Sequence, residues 1–498
     1  MSKRFLTTLT LLISIGLIIT FTSMGRGDKG NDNPKSKNEK ILRNVGIVLE
    51  EGHYSPKKID DNFSKEVLYK YLSDIDPDRY IFYQKDIDGF KKFETKIDDE
   101  IHGTAPLESF YAISTLYTTR LNEVSKEYSK YLNTPFTFNA NDSIELDGTK
   151  RHYPVNEKER QTFSMQRIKY LVLSKYNDLL EEKEKNKGKK DFVVKADTSL
   201  EREARQKVAK QMDRYFSTLK AHNTPEDLFS EFVNAITGQM DPHTNYFAPV
   251  EKRSFDELIS GTFYGIGAQL KEEDGKIKIA SLITGGPAWK SGNIKINDEI
   301  LKIAQGKGEP VDVIGYAVTD AVKLIRGSEK NSEVRLMIKK ADGTIHTVPI
   351  IRDKINLEET FAKSAIINGE HKIGYIYLPE FYANFEDPNG RRCATDVAKE
   401  LEKLKEEHVE GVIMDLRNNG GGSLNDVVDM AGLFIEDGPI CQVKGRDEKT
   451  MILRDRDRNI LYSGPLAVMV DELSASASEI FAAAIHLTLA GRLLFKMG

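Results

Sequence analysis

Residues 466–481 read LAVMVDELSASASEIF. Leu466 to Val470 is a continuous apolar run, the pattern of a strand buried in a sheet, and the small-residue stretch after it leads into a helix. A serine at such a corner, Ser476, sits at the carboxyl edge of the sheet beside the first N–H groups of the helix. Those amides have no partner within the helix, and the helix end favours negative charge, so an oxyanion could be stabilised there. Ser476-x-x-Glu479 also fits a capping box, in which the serine and glutamate satisfy those same amides. This turn alone leaves both readings open.

A second turn of the same kind lies upstream. Asp415-Leu416-Arg417-Asn418-Asn419-Gly420-Gly421-Gly422 follows another apolar strand, Gly411 to Leu416. Consecutive glycines let backbone approach a ligand closely, although Asn-Gly-Gly is also ordinary loop chemistry. Two such turns at neighbouring strand ends would face one crevice, where open α/β sheets hold their sites. Around them strand and helix alternate: Lys372 to Leu378 is an apolar strand, and Val397, Leu401 and Leu404 are spaced as on one face of a helix. Residues 355–498 are therefore expected to form an α/β core.

Further out the texture changes twice. Residues 256–352 hold short β-like runs between glycine turns, with one helix near Thr319 to Ile325, as in a small β-rich binding module. Residues 41–245 have a helical pattern with charged faces, and 26–40 (RGDKGNDNPKSKNEK) read as a polar linker. Residues 1–25 are a targeting segment: Lys3 and Arg4 precede an uncharged run from Phe5 to Met24. Thr22-Ser23-Met24 is only a loose match to a cleavage site, so a cleaved signal peptide and a retained signal anchor both stay open, and either implies export to the periplasm or cell envelope. Membrane association is expected only if the segment is retained.

Composition narrows the chemistry. The 72 basic and 77 acidic residues nearly cancel, leaving a net charge of -5, which lacks the basic excess of a nucleic-acid binder. The two cysteines, Cys393 and Cys441, sit in no CxxC, and the nine histidines form no HExxH, so no metal site and no cofactor is expected.

Taken together, 411–483 resemble the carboxyl-terminal processing peptidases, or tail-specific proteases: GVIMDLRNNGGGSLNDVVDMAGLFI, GPLAVMVDELSASASEIFAAA and their separation follow that family's pattern. The resemblance extends to Tyr71 to Tyr80 and Asp241-Pro242-His243-Thr244 in the helical region, and to a PDZ domain at Tyr264-Gly265-Ile266-Gly267-Ala268, Gly285-Gly286-Pro287-Ala288 and Gly292 to Ile300. It implies a multi-domain α+β chain with a helical amino-terminal region, a PDZ domain and an incomplete α/β serine protease core of the ClpP/crotonase-like kind. It implies a serine endopeptidase with Ser476 as nucleophile and the Gly422 and Ala477 amides as oxyanion hole. Gly265, Ile266 and Gly267 become the loop that receives a peptide's terminal carboxylate. Leu270 and Ile279 could line its groove or belong to the core. The implied partners are unfolded or tagged proteins held by their carboxyl tails, and an adaptor protein.

The pattern fails near the end. The family's base is a lysine that must be buried to lose its charge, and it stands in a Phe-Gly-Lys-Gly-like turn at a position beyond Gly498. His486 to Met497 also departs from the family's Gln-Asp-Tyr-Gly-Arg-like stretch, and an aspartate found in some members would fall at Leu487. The tail reads as a frameshift, a gene fragment or an assembly artefact. Lys496, the one lysine after Ser476, comes too early and reads as a surface residue. The expectation is a chain truncated before its base, hydrolysing peptides poorly or not at all, with a catalytically inactive PDZ peptide-binding protein as the alternative.

Overall fold

A computed structural model describes residues 34–488 and the backbone of 494–496, apart from 140–141, 190–192, 274, 328, 386, 388 and 456–457. The targeting segment, 1–25, lies outside the described residues. Two compact units divide the chain, one ending at Phe247 and the other running from Ala248.

The first unit is helical because its apolar residues recur on single helix faces. Its helices are α1 (Pro34–Ile47), α2 (Asp61–Ile75), α3 (Gln84–Phe90), α4 (Ile97–His102), α5 (Ser109–Tyr131), α6 (Glu157–Asn186), α7 (Asp197–Ala221) and α8 (Pro225–Met240). Asp60 caps α2 by accepting the Asn62 and Phe63 amides, and Thr224 with Asp227 forms a capping box ahead of Pro225 in α8. Tyr71 of α2 meets Phe232 of α8 edge to face, ring centroids 5.2 Å apart, in a core shared with Val67, Phe110 and Ile113. The polar run 26–40 is not linker throughout. Residues 34–40 form the first turns of α1, because Leu42, fully buried, with Ile41 and Val45 anchors that helix to the core and leaves its polar residues to solvent.

The second unit opens with α9 (Pro249–Ser260), which ends at left-handed Gly261. Then come β1 (Thr262–Gly265), β2 (Ala268–Glu273), β3 (Lys276–Leu282), α10 (Pro287–Ser291), β4 (Glu299–Gln305), β5 (Val311–Asp312), α11 (Val318–Ile325), β6 (Glu333–Lys339), β7 (Ile345–Ile351) and β8 (Asp353–Asn356). The sheet order is β2-β3-β4-β6-β7, all antiparallel, with β5 on β4 and β2 at the edge. Two helices rather than one interrupt the strands, and β8 returns past residue 352 to pair with β1. Ile266, Ile279, Ile300, Val334 and Leu336 form the core. Ile279 is fully buried and belongs to that core rather than to a groove.

The remaining elements are β9 (Lys363–Asn368), β10 (Lys372–Tyr377), α12 (Cys393–Glu406), β11 (Gly411–Asp415), α13 (Leu424–Gly432), β12 (Pro439–Val443), β13 (Met451–Arg454), β14 (Leu466–Val470), α14 (Ala477–Thr488) and β15 (Leu494–Lys496). The sheet runs β15-β14-β11-β10-β9, with β10, β11, β14 and β15 parallel and β9 antiparallel at the edge. Ile376, Val412, Met414, Leu466 and Val468 are buried in one core with Val397, Leu401 and Leu404 of α12, Val427 and Met430 of α13, and Phe481 of α14. The alternate side chains Ile413, Ala467 and Met469 are half-buried, so the continuous apolar runs seal one face more fully than the other. The parallel pairing, with Tyr377 opposite Asp415 and Asp415 opposite Met469, brings the carboxyl ends of β10, β11 and β14 to one edge.

Candidate active site

Two turns meet at that edge. The first leaves β11 at Asp415, whose carboxylate is buried. It accepts the Arg417 guanidinium (Nε 3.0 Å, Nη2 2.7 Å) and the Tyr375 hydroxyl at 2.5 Å. Burial opposes its charge, but the Arg417 fork and the Tyr375 hydroxyl outweigh it and hold the carboxyl below its usual range. Asn418 is left-handed (φ 61°) and donates its N–H to Asp471 Oδ1 at 2.9 Å. Gly421 and Gly422 have φ of 108° and 136°, regions that side chains rarely reach. A Cβ on Gly422 would stand 2.3 Å from the Phe381 carbonyl oxygen. The neighbours of Gly422 bind that segment, Phe381 N–H donating to Gly421 O (2.9 Å) and Ser423 N–H to Phe381 O (2.8 Å).

The second turn leaves β14. Ser474 Oγ donates to Leu416 O at 2.8 Å, Ala475 N–H to Asn419 O at 3.1 Å, and Ser478 Oγ to the same carbonyl at 2.9 Å. Between them stands Ser476, exposed and left-handed at φ 53°. Its N–H donates to Glu479 Oε2 at 2.8 Å. This is half of the capping box only. A capping serine has extended dihedrals and spends its oxygen on an amide of the first turn. Ser476 lacks the dihedrals, and its Oγ makes no hydrogen bond with any described residue. Of the amides singled out in the sequence, neither Gly422 N–H nor Ala477 N–H donates to a described residue, and Ala477 opens α14.

The structure therefore brings Ser476, Ala477 and the glycine turn together: an ideal Cβ on Gly421 would lie 2.7 Å from Ser476 Cβ and 3.1 Å from Ala477 N. A free hydroxyl next to uncommitted amides at a helix start is chemically able to attack a carbonyl and hold the resulting oxyanion. Beside the turns a cleft of about 630 Å³ is lined by Lys363, Tyr375, Tyr377, Arg417, Asn418 and Asp471. Lys496 has its backbone in β15 opposite Val470, and its side chain lies outside the described residues. Among the described residues no group of three His, Cys, Asp or Glu could hold a metal.

The glycine loop of residues 265–267 is held from behind. Ala288 N–H donates to Ile266 O (2.8 Å), Ile283 N–H to Gly267 O (2.9 Å) and Gly327 N–H to Tyr264 O (3.0 Å). In a trans peptide the C=O and the following N–H point oppositely. With the Ile266 carbonyl committed to Ala288, the following Gly267 N–H points the opposite way, whereas the Gly265 N–H faces β8, where Gly265 pairs with Asp353. Gly267 is left-handed, at φ 70°. Leu270 of β2 and Val318 and Leu324 of α11 are half-buried, packed against the domain core.

Sequence reading passed over Asn419 and Ser478. Asn419 stood out only as a member of the glycine turn, since its partners Leu378 and Ser478 lie 41 and 59 positions away.

Three family models match in chain order: a tail-specific protease N-terminal domain over 47–250, a PDZ domain over 258–339 and peptidase family S41 over 372–494. The tail-specific protease of Haemophilus influenzae is 33% identical over 442 residues, covering 88% of this chain and 59% of that protein. The carboxy-terminal processing protease CtpA of Bacillus subtilis is 36% identical over 248 residues, 49% of each. The chain thus spans about half to three-fifths of the length of these relatives. Among solved structures, the PDZ domain of a Vibrio cholerae carboxy-terminal protease in complex with peptide is 40% identical, covers 19% of this chain and 99% of that one, and has a TM-score of 0.19. The photosystem II D1 C-terminal processing protease is 19% identical over 66% of this chain and 80% of that one, TM-score 0.29.

Proposed function

We propose, from the premise that this chain belongs to the carboxyl-terminal processing (tail-specific) peptidase family, that it is built to cleave proteins whose carboxyl tails dock on its PDZ domain. The observation that carries this is Ser476: left-handed, exposed, its hydroxyl uncommitted, and packed against Gly421. A residue held in a sparsely populated conformation at a strand-to-helix corner is the arrangement expected of a nucleophile rather than of a cap.

In this reading the 265–267 loop, with the Gly267 amide turned away from the committed Ile266 carbonyl, receives the substrate's terminal carboxylate, and the tail adds a strand beside β2. Ser476 Oγ attacks a peptide carbonyl, its proton passing to an uncharged base and on to the leaving amine. The oxyanion is held by the Gly422 and Ala477 amides, and water then releases the acyl group from Ser476. The base implied by the family resemblance is a desolvated lysine. Export follows from the charge and hydropathy of residues 1–25, and no described helix is long and apolar enough to cross a membrane.

A second reading has its own support. No described residue hydrogen-bonds Ser476 Oγ, so a PDZ peptide-binding protein with a silent core fits the same geometry. Turnover and binding of an unfolded protein with a nonpolar tail separate the two. Cleavage abolished by Ser476→Ala establishes the peptidase, whereas binding without cleavage above the Ser476→Ala background establishes the carrier.

A further inference from the structure

We propose that Asn419 is a positioning residue that fixes the Gly422 amide against Ser476, an inference that rests on the reading of Ser476 as nucleophile. Asn419 is fully buried, so each of its polar atoms needs a partner. Its N–H donates to Leu416 O (3.1 Å), its Nδ2 to Leu378 O (2.9 Å), and its Oδ1 accepts Gly421 N–H (2.9 Å). Its carbonyl accepts both Ala475 N–H (3.1 Å) and Ser478 Oγ (2.9 Å).

These partners come from three different strand ends. Leu378 follows β10, Asn419 itself follows β11, and Ala475 and Ser478 flank Ser476 after β14. One side chain and one carbonyl therefore tie together the edge on which nucleophile and oxyanion donor stand. The need is physical. Three successive glycines have the greatest backbone freedom of any loop, and left alone they would not present an amide at a fixed place. Asn419 Oδ1 restrains this loop at Gly421, and Gly421 in turn packs on Ser476 Cβ.

Such a residue acts on the chemical step and leaves tail docking on the PDZ loop alone. The experiment is steady-state hydrolysis of an unfolded protein with a nonpolar tail by the full chain, for wild type, Asn419→Ala and Ser478→Ala, with Ser476→Ala as blank. Amide hydrogen exchange of segments 417–424 and 472–480 is measured on the same preparations. Asn419→Ala is expected to lower kcat by about 100-fold or more with KM within about twofold, and to speed exchange in both segments. Ser478→Ala, which removes one bond of the set, is expected to fall between it and wild type. A kcat for Asn419→Ala within about threefold of wild type overturns the proposal. If wild type does not exceed the Ser476→Ala blank, the nucleophile reading fails instead, and exchange decides: faster exchange in both segments upholds the tie through Asn419, and unchanged exchange refutes it. If Asn419→Ala does not fold, Ser478→Ala is judged by the same two measurements.

Discussion

Gly421 and Ser476 touch so closely that no side chain fits between them: a Cβ on Gly421 would come to 2.7 Å from Ser476 Cβ and 2.9 Å from Ala475 O. Both obstacles are close to the backbone, so neither can swing aside. Gly421→Ala should therefore push the two turns apart, and at φ 108° the alanine is strained in any case. A stability loss of about 2–4 kcal/mol is expected, with peptidase activity reduced about 100-fold or more. Thermal melting and kcat of the variant check both, and a variant with wild-type melting would show that the turns have room to spare.

Ser476 bears the opposite kind of strain. A left-handed serine costs about 1–2 kcal/mol that a glycine does not incur, partly offset by the greater freedom of glycine in the unfolded chain. Ser476→Gly is expected to abolish cleavage yet stabilise the protein by about 0.5–1 kcal/mol, while Ser476→Ala stays within about 0.5 kcal/mol of wild type. Denaturant unfolding of the three proteins tests the ordering. Glycine less stable than alanine would mean that the conformation at 476 is relaxed.

Much of this edge was legible from sequence. Apolar runs at Gly411 to Leu416 and Leu466 to Val470 marked parallel strands, and the spacing of Val397, Leu401 and Leu404 marked the helix packed with them. What could not be read was whichever choice depends on a dihedral or a distant partner. Ser476-x-x-Glu479 fits a cap or a nucleophile on paper, and what argues against the cap is the left-handed φ together with the unspent Oγ. Asn419 looks like any turn asparagine until Leu378 and Ser478 are seen around it. Residues 34–40 read as linker because the apolar residues that make them helical, Ile41, Leu42 and Val45, come only afterwards.

Asp76 offers a test confined to the helical unit. Its carboxylate is fully buried and accepts the amides of Tyr80, Ile81 and Phe82, yet burial outweighs those bonds and lifts its pKa to about 6. A carboxyl raised in the folded state binds protons there that the unfolded chain, titrating near 3.8, has lost. Stability from this group is thus fully present below the unfolded value and declines as pH rises to about 6, by up to roughly 3 kcal/mol. Glu100 is also raised by burial and titrates alike in wild type and variant, so the difference isolates Asp76. Melting from pH 4 to 7 should fall more steeply in wild type than in Asp76→Asn. Parallel profiles would rule out a proton on Asp76 in that range.

The PDZ loop carries its own reporter. Trp289 is the chain's single tryptophan, is 52% exposed, and follows directly on Ala288, whose amide holds the Ile266 carbonyl. A carboxylate arriving at the amides of the loop should change its fluorescence, so titrating a peptide with a nonpolar carboxyl terminus reads binding with no need for cleavage. Amidating that terminus removes the charge the amides would bind, and affinity should drop about tenfold or more, equivalent to at least about 1.4 kcal/mol. Gly267→Val should weaken the free-acid peptide to a similar degree, because φ 70° is strained for a β-branched residue and its Cβ would lie 3.3 Å from Gly286 Cα. Equal binding of the acid and the amide would show that the tail is held by its side chains alone, and the glycine loop would then have no carboxylate to receive.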